Sequence, residues 1–228
     1  MADATLWSDL IAFGLGVAIS PLHIAVLLLL LLGPSPLRRG GLFLAAWVLT
    51  NLVTLLVLLT LGHGLVLDMT HGSHPRTGLD LLGGGALLTL GSRELLSAIT
   101  GRHTPPAWTH SVDRITAMPL ALLIVLSSVV QVITPDDLLL FAKAASVLLA
   151  AGMPFGQELI GSATFTLTAS ALMLLPCLAV LIGRAQVVPV LQRCKQLLFD
   201  RGELVVSGVS LVLGGYLSWQ GITGLTRI

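Results

Sequence analysis

The residues of this chain best placed to do chemistry stand beside two prolines that interrupt long apolar runs. His23 follows Ser20-Pro21 by two residues, and Asp136 and Asp137 directly follow Thr134-Pro135. Proline removes a helical N–H and clashes with the preceding turn, so each motif frees backbone polar groups inside a hydrophobic segment. In lipid such groups must be met by protein, water or a ligand. An imidazole at one break and two carboxylates at the other can bind a proton, a cation or a polar substrate group. Lys143 lies seven residues beyond Asp136, two turns along one helix face, where its ammonium could neutralise that carboxylate. The candidate substrate- or ion-binding set is therefore Ser20, Pro21, His23, Thr134, Pro135, Asp136, Asp137 and Lys143, joined by Asn51. The structural alternatives are an Asp136–Lys143 ion pair and a His23 hydrogen-bonded to a backbone carbonyl. No nucleophile–base pair or His-rich active site accompanies these residues, so an enzyme is not expected.

Other polar residues extend the set. Thr50, Asn51 and Thr54 lie in one apolar run, and Ser162, Thr164, Thr166, Thr168 and Ser170 in another. Thr50/Thr54 and Thr164/Thr168 are each one turn apart on one face, where they could line a polar path or glue helices together. His63, Asp68, His71 and His74 form a loose cluster that could hold zinc or a related ion. Their spacing matches no closed metal motif, and a solvated loop is the competing reading. Cys177 and Cys194 form no Cys-x-x-Cys and suit no disulfide across their different depths.

The elements that must position these groups follow from composition. The chain has 228 residues, 55% hydrophobic and 10% charged, with mean hydropathy +0.96, more apolar surface than one soluble core absorbs. Its Leu-rich runs of about twenty residues suit helices that cross a bilayer and lack the alternation of barrel strands. The reading is an all-α integral membrane protein with six spans near 10–32, 41–61, 79–98, 119–150, 155–182 and 204–225. No basic stretch or cleavage site marks the first run, which predicts a retained span. Arg38, Arg39, Arg93, Arg102, Arg114, Arg184, Arg193, Lys195 and Arg201 flank the first, third and fifth connections, against Arg76 and Arg227 on the other side. This asymmetry predicts both termini outside the cytoplasm. A net charge of +1 without a basic face or aromatic platform gives no sign of nucleic-acid binding.

The pattern repeats. Ile19-Ser20-Pro21 matches Ile133-Thr134-Pro135, and at the same offset Thr50 and Thr54 fall on Thr164 and Thr168. Leu90-Gly91 and Ile99-Thr100-Gly101 match Leu213-Gly214 and Ile222-Thr223-Gly224 at a slightly larger offset. Three spans repeated once must invert, which predicts two inverted three-helix repeats (1–99 and 117–228) joined by a polar linker, 100–116, with a Pro-Pro pair. Residues 187–198 show helical apolar spacing with Pro189 at the start, the pattern of a short helix lying in the interface.

Six spans as two inverted triplets, with Ser-Pro in the first and X-Pro in the fourth, resemble the lysine-exporter (LysE) superfamily. Within it, Ile19-Ser20-Pro21-Leu22-His23-Ile24, residues 34–41 (PSPLRRGG) and Trp47 are similar to the glycopeptidolipid- and sulfolipid-addressing membrane proteins of mycobacteria and other actinobacteria. The resemblance covers nearly the whole chain. It implies export of cell-envelope glycolipids beside a larger lipid transporter, with no cofactor. Relatives tend to carry Asn-Pro-Lys where this chain has Thr134-Pro135-Asp136, which reverses a charge at the expected site. The expected function is an inverted-repeat exporter of a small molecule or (glyco)lipid, in contact with membrane lipids and able to form a homodimer, with its site at the two broken helices. The alternatives are divalent-cation efflux and a non-transporting accessory protein of a lipid-export complex.

Overall fold

The computed structural model describes residues 2–65, 69, 73–100 and 118–226, and every regular element among them is helical. The order is α1 (Ala2–Ala18), α2 (Pro21–Leu32), α3 (Pro36–Gly64), α4 (His74–Ile99), α5 (Leu120–Ile133), α6 (Pro135–Ala151), α7 (Phe155–Gly183), a short 3-10 turn (Arg184–Val187) and α8 (Val188–Leu225). Both expected proline interruptions are helix boundaries. Ser20 and Thr134 take extended backbone conformations immediately before α2 and α6, whose first turns accept Pro21 and Pro135. Between α2 and α3 the chain turns within a few residues, with Ser35 in the left-handed region at φ 58° ahead of Pro36.

Among the described residues three segments are long and apolar enough to cross a membrane: α3, α7 and Leu204–Leu225 of α8. A fourth is formed by α1 and α2 if the pair, bent by 61°, is counted as one span. The six expected spans do not all meet this test. Arg76, Asp80, Arg93 and Glu94 lower the hydropathy of α4. The break at Thr134 divides the fourth expected span into helices of 14 and 17 residues, each shorter than the roughly 20 needed to cross alone. The expected interfacial helix at 187–198 is not separate: it is the first part of the 38-residue α8, about 57 Å long at 1.5 Å per residue. Of the expected linker only Thr100 is described, and it caps α4; the rest lies outside the described residues.

Burial shows which helix faces point outward. Along α3, Leu49, Val53, Val57 and Leu61 are exposed, while Phe43, Trp47, Asn51, Leu55 and Leu59 are buried on the opposite face. In α7, Ile160, Leu167, Leu175 and Ile182 point outward, and Ser162, Phe165, Thr166, Ala169, Ser170 and Met173 point inward. Apolar outside with hydroxyls and an amide inside reverses the pattern of a soluble bundle and suits a multi-pass membrane protein.

The most extensive helix pair is α4 with α8. Its helices approach through small residues: Gly84 faces Ser218 and Gly214, Gly91 faces Leu211 and Ser207, and Gly221 faces Leu81. The remaining helices form the other body, in which α1 packs on α7 and α6, and α3 on α7, α6 and α5.

Close backbone approach makes a specific demand on side-chain size. A Cβ at Gly84 would come within 2.6 Å of the Ser218 backbone nitrogen, whereas nothing lies within 4 Å of one at Gly85. Gly84→Val is expected to cost about 1–3 kcal/mol by overpacking. Gly85→Ala should be neutral or stabilising by up to about 1 kcal/mol, since Ala favours helix. Thermal unfolding of the purified protein in mild detergent checks both; equal behaviour of the two variants would contradict this packing.

Candidate functional site

The buried face of α3 collects polar groups from both proline breaks. At the first break, Ser20 Oγ and His23 Nδ1 lie 2.7 Å apart, and the His23 ring, buried, sits 4.3 Å from Trp47 and 6.4 Å from Phe43 between centroids. Trp47 reaches α7, its Nε1 donating to the Ala169 carbonyl at 3.4 Å. One turn beyond Trp47 stands Asn51, 0% exposed. The amide of Gln131, also 0% exposed and three residues ahead of the second break, donates through Nε2 to Asn51 Oδ1. Beside this couple the Thr50 and Ser128 hydroxyls lie 2.8 Å apart, and Thr50 donates to its own Ala46 carbonyl. The break sequences thus place Ser20 and His23 at one end of this layer and Gln131 at the other, with α3 between them.

A second polar cluster joins four helices. Lys143 on α6, 0% exposed, forms an ion pair with Asp80 on α4, 2% exposed. The Lys143 ammonium also lies 3.4 Å from Gln220 Oε1 on α8 and 5.8 Å from the centre of the Phe13 ring on α1. Nearby, the Tyr216 hydroxyl on α8 donates to Asp9 Oδ1 on α1 at 2.7 Å. Arg76, one turn before Asp80, is buried and donates to the Met69 carbonyl at 3.1 Å. Two acids and two bases balance here: Asp9 and Asp80 against Arg76 and Lys143. Charges buried at membrane depth cost several kcal/mol unless paired. Lys143 and Asp80 pair with each other and Asp9 and Arg76 are each hydrogen-bonded, while Arg76 Nε has no partner among the described residues.

The expected Asp136–Lys143 pair is thus corrected. Both residues do lie two turns apart on α6, but Lys143 turns to Asp80, because α4 packs against α6 and offers a buried carboxylate there. Asp136 stays half-buried, while its neighbour Asp137 is buried. In α7 the inward face carries Ser162, Thr166 and Ser170 rather than the expected Thr164/Thr168 pair. Thr164 and Thr168 are both half-buried, and each donates to the carbonyl four residues earlier. Of the outer cluster His63, Asp68, His71 and His74, only His63 and His74 are among the described residues. His63 Nε2 instead lies 3.0 Å from Glu158 Oε1 at the start of α7, Asp68 and His71 fall outside the described residues, and no described group of three His, Cys, Asp or Glu side chains could hold a metal. Cys177 and Cys194 are free thiols.

Asp80, Gln131, Gln220 and Tyr216 are members of these layers that the motif search passed over. Asp80 carried one usable signal. It is an acid inside an expected span, and Lys143 is the intramembrane base available to oppose it. Gln131 carried another, as the amide in an otherwise apolar run just ahead of Thr134-Pro135.

A family model described as "Sap, sulfolipid-1-addressing protein" matches residues 10–223 of the chain. No curated protein and no solved structure matches it.

The ion pair between Asp80 and Lys143 makes a signed stability prediction. Removing one partner leaves a buried charge, so Asp80→Asn or Lys143→Gln should each destabilise the protein by about 3–5 kcal/mol. The double variant Asp80→Asn/Lys143→Gln should recover most of that loss. A double-mutant cycle on thermal unfolding in detergent measures the coupling, and additive losses would show that the two side chains do not interact.

Proposed function

The chain belongs to the Sap, sulfolipid-1-addressing protein family, and on that premise we propose that it exports an amphiphilic cell-envelope molecule of the sulfolipid or glycolipid class. The observation that carries this reading is the polar layer on α3, where the two broken helices deliver Ser20–His23 and Gln131 to a buried face otherwise made of aromatic and aliphatic side chains. A lipid's chains can stay against the apolar outer faces of α3 and α7 while its polar part crosses along this interior layer. Discontinuous helices serve transporters in this way, because backbone freed at a break lines the path without facing lipid.

The reading extends to topology. Helices α1–α2, α3 and α4 form one triplet, and α5–α6, α7 and α8 the inverted second, giving six crossings in the manner of the lysine-exporter superfamily. Two features support it: each triplet opens with a proline-broken pair followed by a long apolar helix, and the third members, α4 and α8, pair through glycines. Rocking of the α4–α8 pair against the other helices would then alternate access to the layer, with Asp137 and the Asp80–Lys143 couple as groups able to take up charge. A larger lipid transporter would deliver the substrate in the cell.

Deletion of the gene is expected to leave the cognate lipid inside the cell while its total amount stays near normal. Solvent extraction of surface lipid against whole-cell lipid, quantified by mass spectrometry, reads this directly. Complementation with His23→Ala should restore less than about one-tenth of surface display if the break residues handle substrate, a loss of roughly 1.4 kcal/mol or more per tenfold. Full display by that variant at wild-type protein level would remove His23 from the path. Unchanged surface and total lipid after deletion would reject the export reading itself.

A further inference from the structure

The Asn51–Gln131 couple is joined by one hydrogen bond and leaves two polar atoms over. Asn51 Nδ2 and Gln131 Oε1 are both buried and without a hydrogen-bond partner. An amide carries both donor and acceptor, so turning both groups over exchanges the roles and still leaves one donor and one acceptor unmet. The couple therefore presents an unmet amide NH2 and an unmet amide oxygen in a buried interior. Buried polar atoms are nearly always satisfied, and an orphaned pair calls for the group that completes it.

We propose that the Asn51–Gln131 couple is a binding subsite for an uncharged hydroxyl group of the transported molecule. A hydroxyl accepts one hydrogen bond and donates another, so one such group satisfies both orphaned atoms together. An oxyanion, by contrast, would accept from Asn51 but face the Gln131 carbonyl oxygen with like charge. A cation would suit the carbonyl and oppose the N–H. The chemistry thus selects a neutral polyol or sugar-type headgroup and rejects the anionic portion of a charged one. The Thr50–Ser128 hydroxyl pair, on the same two helices, supplies further groups able to both donate and accept. Trp47, one turn along the same face of α3, offers an aromatic surface of the kind on which the apolar faces of sugar rings pack. The occupant enters by separation of α5 from α3. Among the described elements α5 packs chiefly on α3 and α6 and ends at the Thr134 break, so its separation needs mainly those two contacts to give.

This subsite deepens the export reading and rests on it for the identity of the lipid, but binding is measurable without transport. The full-length protein in nanodiscs is titrated with monohexosyl diacylglycerol, with the matching diacylglycerol lacking the sugar, and with the matching phosphatidic acid. The expected result is a rise in unfolding temperature of several degrees with the hexosyl lipid alone. Asn51→Leu/Gln131→Leu removes both amides together and leaves no orphan, so it should fold with an unfolding temperature at or above wild type and lose the hexosyl-lipid shift. Asn51→Leu alone, which strands Gln131, is the control for damage to the fold. A shift that survives in the folded double variant would overturn the proposal. So would an equal shift from all three lipids, or none with any of them, the last meaning that only water fills the couple. Loss of the shift in the double variant with normal surface lipid in cells would keep the subsite and reject export as its use.

Discussion

The Asp80–Lys143 ion pair is the interaction on which the arrangement of the helices turns. It is buried on both sides and joins α4 to α6, and Lys143 reaches α8 through Gln220. The α4–α8 pair is otherwise held to itself by glycine contacts, which are short-ranged and depend on close fit. Its polar ties to the other helices gather in this cluster, with Tyr216–Asp9 as the second tie. The surfaces elsewhere between the two bodies are aliphatic, as where Leu213 and Leu140 close over Gly16. Aliphatic surfaces in lipid slide with little penalty, because lipid tails are as apolar as the partner helix. Charges do not, since separating them exposes each to a low-dielectric interior. The cluster therefore sets the register of one body against the other in this conformation.

The polar layer on α3 answers a different constraint. Its members are neutral or singly ionisable, and each is anchored by a neighbour that the chain also needs for packing: His23 by Ser20 and Trp47, Asn51 by Gln131, Thr50 by Ser128. The proline breaks make this possible. Ending α1 before Pro21 bends the chain by 61° into α2, ending α5 before Pro135 separates it from α6, and residues flanking each break meet α3. The two breaks use unlike chemistry, an imidazole at one and an amide followed by acids at the other.

The parts of this plan governed by local chemistry were legible in the sequence. Proline acts on its own turn, so the boundaries at Ser20-Pro21 and Thr134-Pro135 could be read without knowing any neighbour. The apolar excess likewise gave an all-helical membrane chain. What depended on which helices meet was not legible. Lys143 has Asp136 on its own helix face, and helical periodicity cannot reveal that α4 brings Asp80 closer. The repeat drew attention to Thr164 and Thr168, yet the rotation of α7 buries Ser162, Thr166 and Ser170 instead. His63 belonged by proximity in sequence to a histidine-rich loop, and by structure to Glu158, 95 residues away. Continuity of α8 was also hidden, because an amphipathic segment and an apolar one differ in surroundings but share the same backbone geometry.

Stability alone does not account for the polar interior of so small a bundle. Hydrophobic residues of similar volume often match or exceed a buried ion pair in stability, by about 1–4 kcal/mol where the exchange has been favourable. Interhelical hydrogen bonds in lipid contribute about 0.6 kcal/mol on average. An apolar Asn51–Gln131 contact would be simpler to satisfy than one that leaves a donor and an acceptor unmet. The two polar layers are also unlike in kind: the cluster around Lys143 is charged and centred on the Asp80–Lys143 pair, whereas the amide couple is neutral and half engaged. A scaffold needs only the first kind, because a satisfied network specifies how helices dock. The second kind adds little to docking that leucine would not supply, and its unmet donor and acceptor match the hydroxyl proposed to occupy them.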